Sequence, residues 1–130
     1  MVIDTSALLA ILFDEEDASL YARAIAEGAV RYLSAASWLE ASIVIEARYG
    51  LPGGQALDQL VQTAEIHIEP VTFEQIKVAR EAYRRFGKGR GHAAGLNYGD
   101  CFAYALAKIM GEPLLFKGDD FRYTDIGSVR

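Results

Sequence analysis

The sequence predicts an α/β sandwich, with a mainly parallel central sheet flanked by helices, in a single domain over residues 1–130. Short apolar runs, Val2-Ile3 and Leu114-Leu115-Phe116 foremost, are too brief for helices and read as parallel strands buried on both faces. Longer segments with apolar residues at helical spacing separate them, which is the alternation of an α/β domain. Acids recur just past the candidate strands or at the helix starts, where open α/β sheets bind ligands.

In chain order, Val2-Ile3 is the first strand. Thr5 or Ser6 caps a helix whose apolar side is Leu8, Leu9, Ile11 and Leu12. Asp14-Glu15-Glu16-Asp17 is an acidic turn into a helix running through Glu27 and ending at Gly28. Arg31-Tyr32-Leu33-Ser34 is a second strand. Ser37-Trp38-Leu39-Glu40 has the spacing of a capping box and opens a helix to Gly50, so Glu40 has a local structural explanation. Leu51-Pro52-Gly53-Gly54 reads as a turn, Gln55 to Ala64 as a helix and Ile66-His67-Ile68 as a third strand, with His67 at an edge or facing solvent. Thr72-Phe73-Glu74-Gln75 begins another helix, carrying Ile76, Ala79, Ala82 and Tyr83. Gly87 to Gly95 is a glycine-rich, flexible loop. Asn97 caps a helix that has Asp100 in its first turn and ends at Gly111. Pro113 forbids its continuation, Leu114-Leu115-Phe116 is the fourth strand, and Gly118-Asp119-Asp120-Phe121 a polar turn.

Composition narrows the classes. The chain is 52% apolar and 24% charged, an ordinary globular balance, and long enough for a real core. No apolar run has the length of a membrane span, and no basic segment precedes the first apolar run as in a signal peptide. The single cysteine, Cys101, has no disulfide partner, which fits a reducing cytoplasm, and its apolar setting reads as a buried structural thiol. A net charge of −5 argues against a protein that coats nucleic acid generally. A local basic surface exists nonetheless. Between Lys77 and His92 lie Lys77, Arg80, Arg84, Arg85, Lys88 and Arg90 against one acid, Glu81. Such clustering exceeds what capping a helix end needs and makes Arg84, Arg85, Lys88 and Arg90 the candidate contacts to a polyanion.

Each acid has an ordinary local explanation; their shared position is the informative fact. Asp4, Glu40, Asp100 and the Asp119-Asp120 pair all fall on one edge of a parallel sheet. Two such charges 4 Å apart repel by about 4 kcal/mol at an effective dielectric of 20. A cation would offset that, and an all-oxygen donor set without His or Cys favours Mg²⁺ or Mn²⁺ over zinc. With neither a histidine base nor a paired serine nucleophile in the pocket, the natural chemistry is metal-activated water attacking a phosphodiester.

Val2-Ile3-Asp4-Thr5-Ser6-Ala7, Glu40 within Ser37-Trp38-Leu39-Glu40-Ala41, Leu96-Asn97-Tyr98-Gly99-Asp100-Cys101, and Leu115-Phe116-Lys117-Gly118-Asp119-Asp120-Phe121 with Thr124-Asp125-Ile126 resemble the PIN domain. More closely, they resemble the VapC-type toxin ribonucleases of bacterial toxin–antitoxin pairs. The resemblance spans the chain in order and spacing. It implies an endoribonuclease dependent on Mg²⁺ or Mn²⁺, with metal-holding catalytic acids at Asp4, Glu40 and Asp100 and a fourth at Asp119 or Asp120. Thr5 or Ser6 would orient the metal-bound carboxylate or water. It further implies a structured RNA substrate, a small VapB-type antitoxin lying over the active-site groove, and a homodimer formed through helical faces.

Two other classes fit less well. A haloacid-dehalogenase-like phosphatase needs a second Asp two residues after the first, where this chain has Ser6. A receiver-like regulatory domain needs adjacent acids at the end of the first strand, where Asp4 stands alone.

Overall fold

The computed structural model of the protein describes residues 1–129, and Arg130, the last residue of the expected domain, lies outside them. The elements run β1 (Val2–Ile3), α1 (Thr5–Leu12), α2 (Ala18–Glu27), β2 (Tyr32–Ser34), α3 (Ala35–Tyr49), α4 (Leu51–Thr63), β3 (His67–Glu69), α5 (Phe73–Phe86), α6 (Tyr98–Met110) and β4 (Leu114–Leu115). The strands form one sheet in the order β3-β2-β1-β4, parallel throughout. Val2 pairs with Tyr32 and Leu114, and Ile3 with Leu115, so β1 lies inside the sheet, as its unbroken apolar run predicts.

Alternation along the short strands divides the core into two layers. Val2 and Leu114 face one cluster, built with Ala79, Ala82 and Phe86 of α5 and Leu106 of α6. Ile3, Leu33 and Leu115 face the other, built with Leu8, Ile25, Ile45 and Leu57 from α1 to α4. Helices thus cover both faces, and each fully buried Leu or Ile contributes about 1.5–3 kcal/mol relative to exposure. Among the described residues no helix is long and apolar enough to cross a membrane.

Three local expectations are corrected. Helix α1 is capped by Asp4 itself, not by Thr5 or Ser6: the Asp4 carboxylate accepts the Ser6 N–H at 3.0 Å. Helix α3 is capped by Ser34, whose hydroxyl accepts the Ala36 N–H, so β2 runs straight into the helix. Ser37 therefore lies within the first turn of α3 and Ser37-x-x-Glu40 is no capping box. Leu51-Pro52-Gly53-Gly54 is the first turn of α4, where Pro suits the N1/N2 position because that N–H has no helical partner. A Cβ on Gly53 would stand 2.6 Å from the Ile45 carbonyl oxygen, so the two glycines serve close packing of α4 on α3. Edge strand β3 leaves His67 exposed, as expected.

Candidate active site at the carboxyl edge of the sheet

Asp4 leaves β1 at the centre of the sheet and is only 4% exposed. Its Oδ2 accepts both the Ser6 N–H and the Ser6 hydroxyl, the latter at 2.6 Å, and the Ser6 oxygen in turn accepts the Lys117 N–H at 2.9 Å. Ser6 therefore joins the acid at the end of β1 to the loop that follows β4. The Thr5 hydroxyl instead donates to the Ser37 carbonyl and fixes the β1–α1 turn against α3. Of the two candidate orienting residues, Ser6 is the one bonded to the Asp4 carboxylate.

Glu40 projects from the second turn of α3. A Cβ on Gly99 would run into its carboxylate, so the glycine beside Asp100 makes room for the acid from the neighbouring helix. Asn97 caps α6 as expected, and Asp100 makes the cap reciprocal: Asn97 Oδ1 accepts the Asp100 N–H, and Asp100 Oδ2 accepts the Asn97 N–H. The final acids are both exposed and differ in their partners: Asp120 acts electrostatically on Asp100, whereas Asp119 pairs with Arg122 at 3.4 Å.

The electrostatics follow from this crowding. Burial pushes Asp4 up from 3.8 to about 6, against the two Ser6 hydrogen bonds and with help from the Glu40 charge. Burial, together with Asp4 and Asp120, pushes Asp100 up to about 8, despite the hydrogen bond to the Asn97 backbone that favours its ionised form. Asp4 thus feels Glu40, and Asp100 feels both Asp4 and Asp120. The four carboxylates are linked pair by pair; among the described residues no three acids, histidines or cysteines are gathered tightly enough to hold an ion among them. By donor type the set suits a hard divalent cation, since every side chain offers oxygen and a cation would offset the burial and the lesser mutual repulsion that raise both pKa values.

The basic segment ends close by in the chain. The loop between α5 and α6 is closed at its base, with Lys88 donating to the Leu96 carbonyl and Leu96 to that of Phe86, while Gly89, Gly91 and Gly95 turn with positive φ. Arg84 pairs with Glu81 at 2.6 Å, and Arg85 lies 3.7 Å from Asp125. Lys88 and Arg90 are exposed and make no salt bridge among the described residues.

Three features escaped the sequence reading. Asp125 accepts from the Tyr104 hydroxyl and from Lys108, tying the C-terminal segment to α6. Ser37 carries a fully buried hydroxyl without a hydrogen-bond partner. Tyr98, which its spacing to Phe102 would assign to an apolar stripe, is 79% exposed. Nothing in a single sequence marks these, because each depends on which helix lies opposite.

A family model of the PIN domain matches residues 1–127, and the chain belongs to the PIN-domain family. Within that family it is 59% identical over 129 residues to a protein named Ribonuclease VapC from Mycolicibacterium smegmatis, covering 99% of each chain. The solved structure of Mycobacterium tuberculosis VapC20, described as a Sarcin-Ricin loop cleaving toxin, superposes with a TM-score of 0.79 at 17% identity, covering 96% of this chain and 95% of that one. A toxin–antitoxin complex from Klebsiella pneumoniae contains a chain with a TM-score of 0.73 at 14% identity, covering 95% of this chain and 92% of that one.

Proposed function

We propose that this PIN domain is the endoribonuclease toxin of a toxin–antitoxin pair, hydrolysing RNA phosphodiester bonds at the acids on the carboxyl edge of its sheet. The observation that carries the reading is the electrostatic coupling of buried Asp4 to Glu40, and of Asp100 to Asp4 and Asp120, in a chain closely related to a Ribonuclease VapC. Asp4, Glu40, Asp100 and Asp120 would hold Mg²⁺ or Mn²⁺, which when bound supplies charge neutralisation at the phosphodiester and an activated water. Asp119, exposed and paired with Arg122, serves at most the outer rim.

In this scheme Ser6 fixes the Asp4 carboxylate by two hydrogen bonds, and Gly99 leaves room for Glu40. Asp100, raised chiefly by burial and further by its acidic neighbours, would be held in its ionised form by a bound cation. Lys88 and Arg90, with Arg84 and Arg85 exchanging their acids for phosphate, would position the RNA strand without reading its sequence. The partners in this reading are RNA, a small VapB-type antitoxin in the cytoplasm and a second copy of the chain.

The test is to incubate the purified protein with total bacterial RNA and Mg²⁺ or Mn²⁺ and map the new ends. Discrete ends that disappear in Asp4→Asn support the reading. Intact RNA with the folded wild type under every divalent cation overturns it.

A further inference from the structure

Tyr98 is the most exposed of the large apolar side chains among the described residues, at 79%. It opens α6, two residues before Asp100, and its ring stands against Phe102 in a T-shaped pair with centroids 5.0 Å apart. A cavity of about 450 Å³ lies on one side of it, walled by Ile76, Arg80, Tyr83 and Phe102. On the other side a cavity of about 290 Å³ includes Glu40 and Gly99 in its wall. The tyrosine thus stands between an aromatic slot and the acids of the candidate site.

The lining narrows the occupant. Flat aromatic walls offer stacking to any planar ring, and Arg80 supplies one guanidinium at the rim for an anion beside that ring. A planar base attached to a phosphate presents both features, and unpaired bases are recognised by stacking on aromatic side chains. The slot and the cavity that includes Glu40 share Tyr98 and Phe102 in their walls, so a strand with a base in the slot has its adjoining phosphates within reach of the acids.

We propose that Tyr98 and the slot between α5 and α6 form a nucleobase subsite, in which a base flanking the scissile phosphate stacks on Tyr98 while Arg80 meets the adjoining phosphate. This deepens the ribonuclease reading and rests on it. The subsite sets which phosphate reaches the acids, by seating a base rather than by taking part in the chemistry.

The experiment measures fluorescence anisotropy of a labelled single-stranded oligoribonucleotide, and of a matching sugar–phosphate strand without bases, in EDTA so that both stay intact. Tyr98→Ala should bind the oligoribonucleotide about 5- to 150-fold more weakly than wild type, the range for loss of one stacked base. Tyr98→Phe should restore binding, and wild type and Tyr98→Ala should bind the abasic strand alike. Equal oligoribonucleotide binding by wild type and Tyr98→Ala would overturn the subsite while leaving the nuclease reading intact. An equal loss on the abasic strand would overturn it too, as would a lower mass of free Tyr98→Ala by light scattering, which would seat the ring between two copies. Wild type that neither binds nor cleaves RNA would remove both readings.

Discussion

Burial acts on Asp4 and Asp100 in a way that makes the metal-free protein sensitive to pH. Both acids have folded-state values above their unfolded value of 3.8, Asp4 at about 6 and Asp100 at about 8. The folded state therefore binds more protons than the unfolded chain between these limits, and stability falls as pH rises from about 4 to about 8. At about 1.4 kcal/mol per pKa unit, Asp4 alone accounts for a loss on the order of 3 kcal/mol. Thermal melts in EDTA should show the melting temperature falling across that window, with a shallower fall in Asp4→Asn. A melting temperature that rises with pH in wild type would mean that burial does not hold these acids in their protonated form. Ser37 gives a second test at the same scale. Its orphaned hydroxyl costs desolvation without a return, so Ser37→Ala should leave stability unchanged or raise it by up to about 1 kcal/mol. Ser34→Ala, which removes the α3 cap, should cost about 1 kcal/mol, and denaturant melts of the two variants would separate them.

At the level of the elements, close approach at two glycines joins packing to the site. Gly53→Ala drives a methyl into the Ile45 carbonyl, which is backbone and cannot swing aside, so denaturant melts should register about 1–3 kcal/mol of destabilisation. Gly99→Ala meets only the end of the Glu40 side chain, which can move. That variant should fold with near-normal stability yet lose RNA cleavage, and full activity would show that the position of Glu40 is unimportant. Sheet, layers and most helices were readable in the sequence because apolar runs and helical spacing record burial directly. The starts of α3 and α4 were not. Two serines stand three residues apart before Glu40, and only the exit direction of β2 decides that Ser34 is the cap. Pro52-Gly53-Gly54 has turn composition, and only the packing of α4 on Ile45 explains the glycines inside a helix. The acids were readable as strand-end and helix-start residues. The division between Asp119 and Asp120 was not, since it depends on how the loop after β4 faces Asp100 and Arg122.

For the whole molecule, an acidic protein that acts on RNA must gather its cations locally. Arg84 and Arg85 are partly engaged with Glu81 and Asp125, so Lys88 and Arg90 are the readier phosphate donors. Neutralising both should weaken binding of single-stranded RNA and flatten its log–log salt dependence by about 0.7 per lost contact. An unchanged slope in a titration across salt concentrations would return the segment to ordinary helix-end charge. Sheet order then explains how acids so distant in sequence reach one edge: β1 lies between β2 and β4, so the residues beyond all three strands lie side by side, with α6 beginning beside them. The most direct measurement of that account is a calorimetric titration of Mn²⁺ into the wild type and four variants. Asp4→Asn, Glu40→Gln and Asp100→Asn should each weaken binding at least tenfold, a change of about 1.4 kcal/mol, while Asp119→Asn binds as the wild type does. Equal affinity across all five proteins would contradict a shared carboxylate centre.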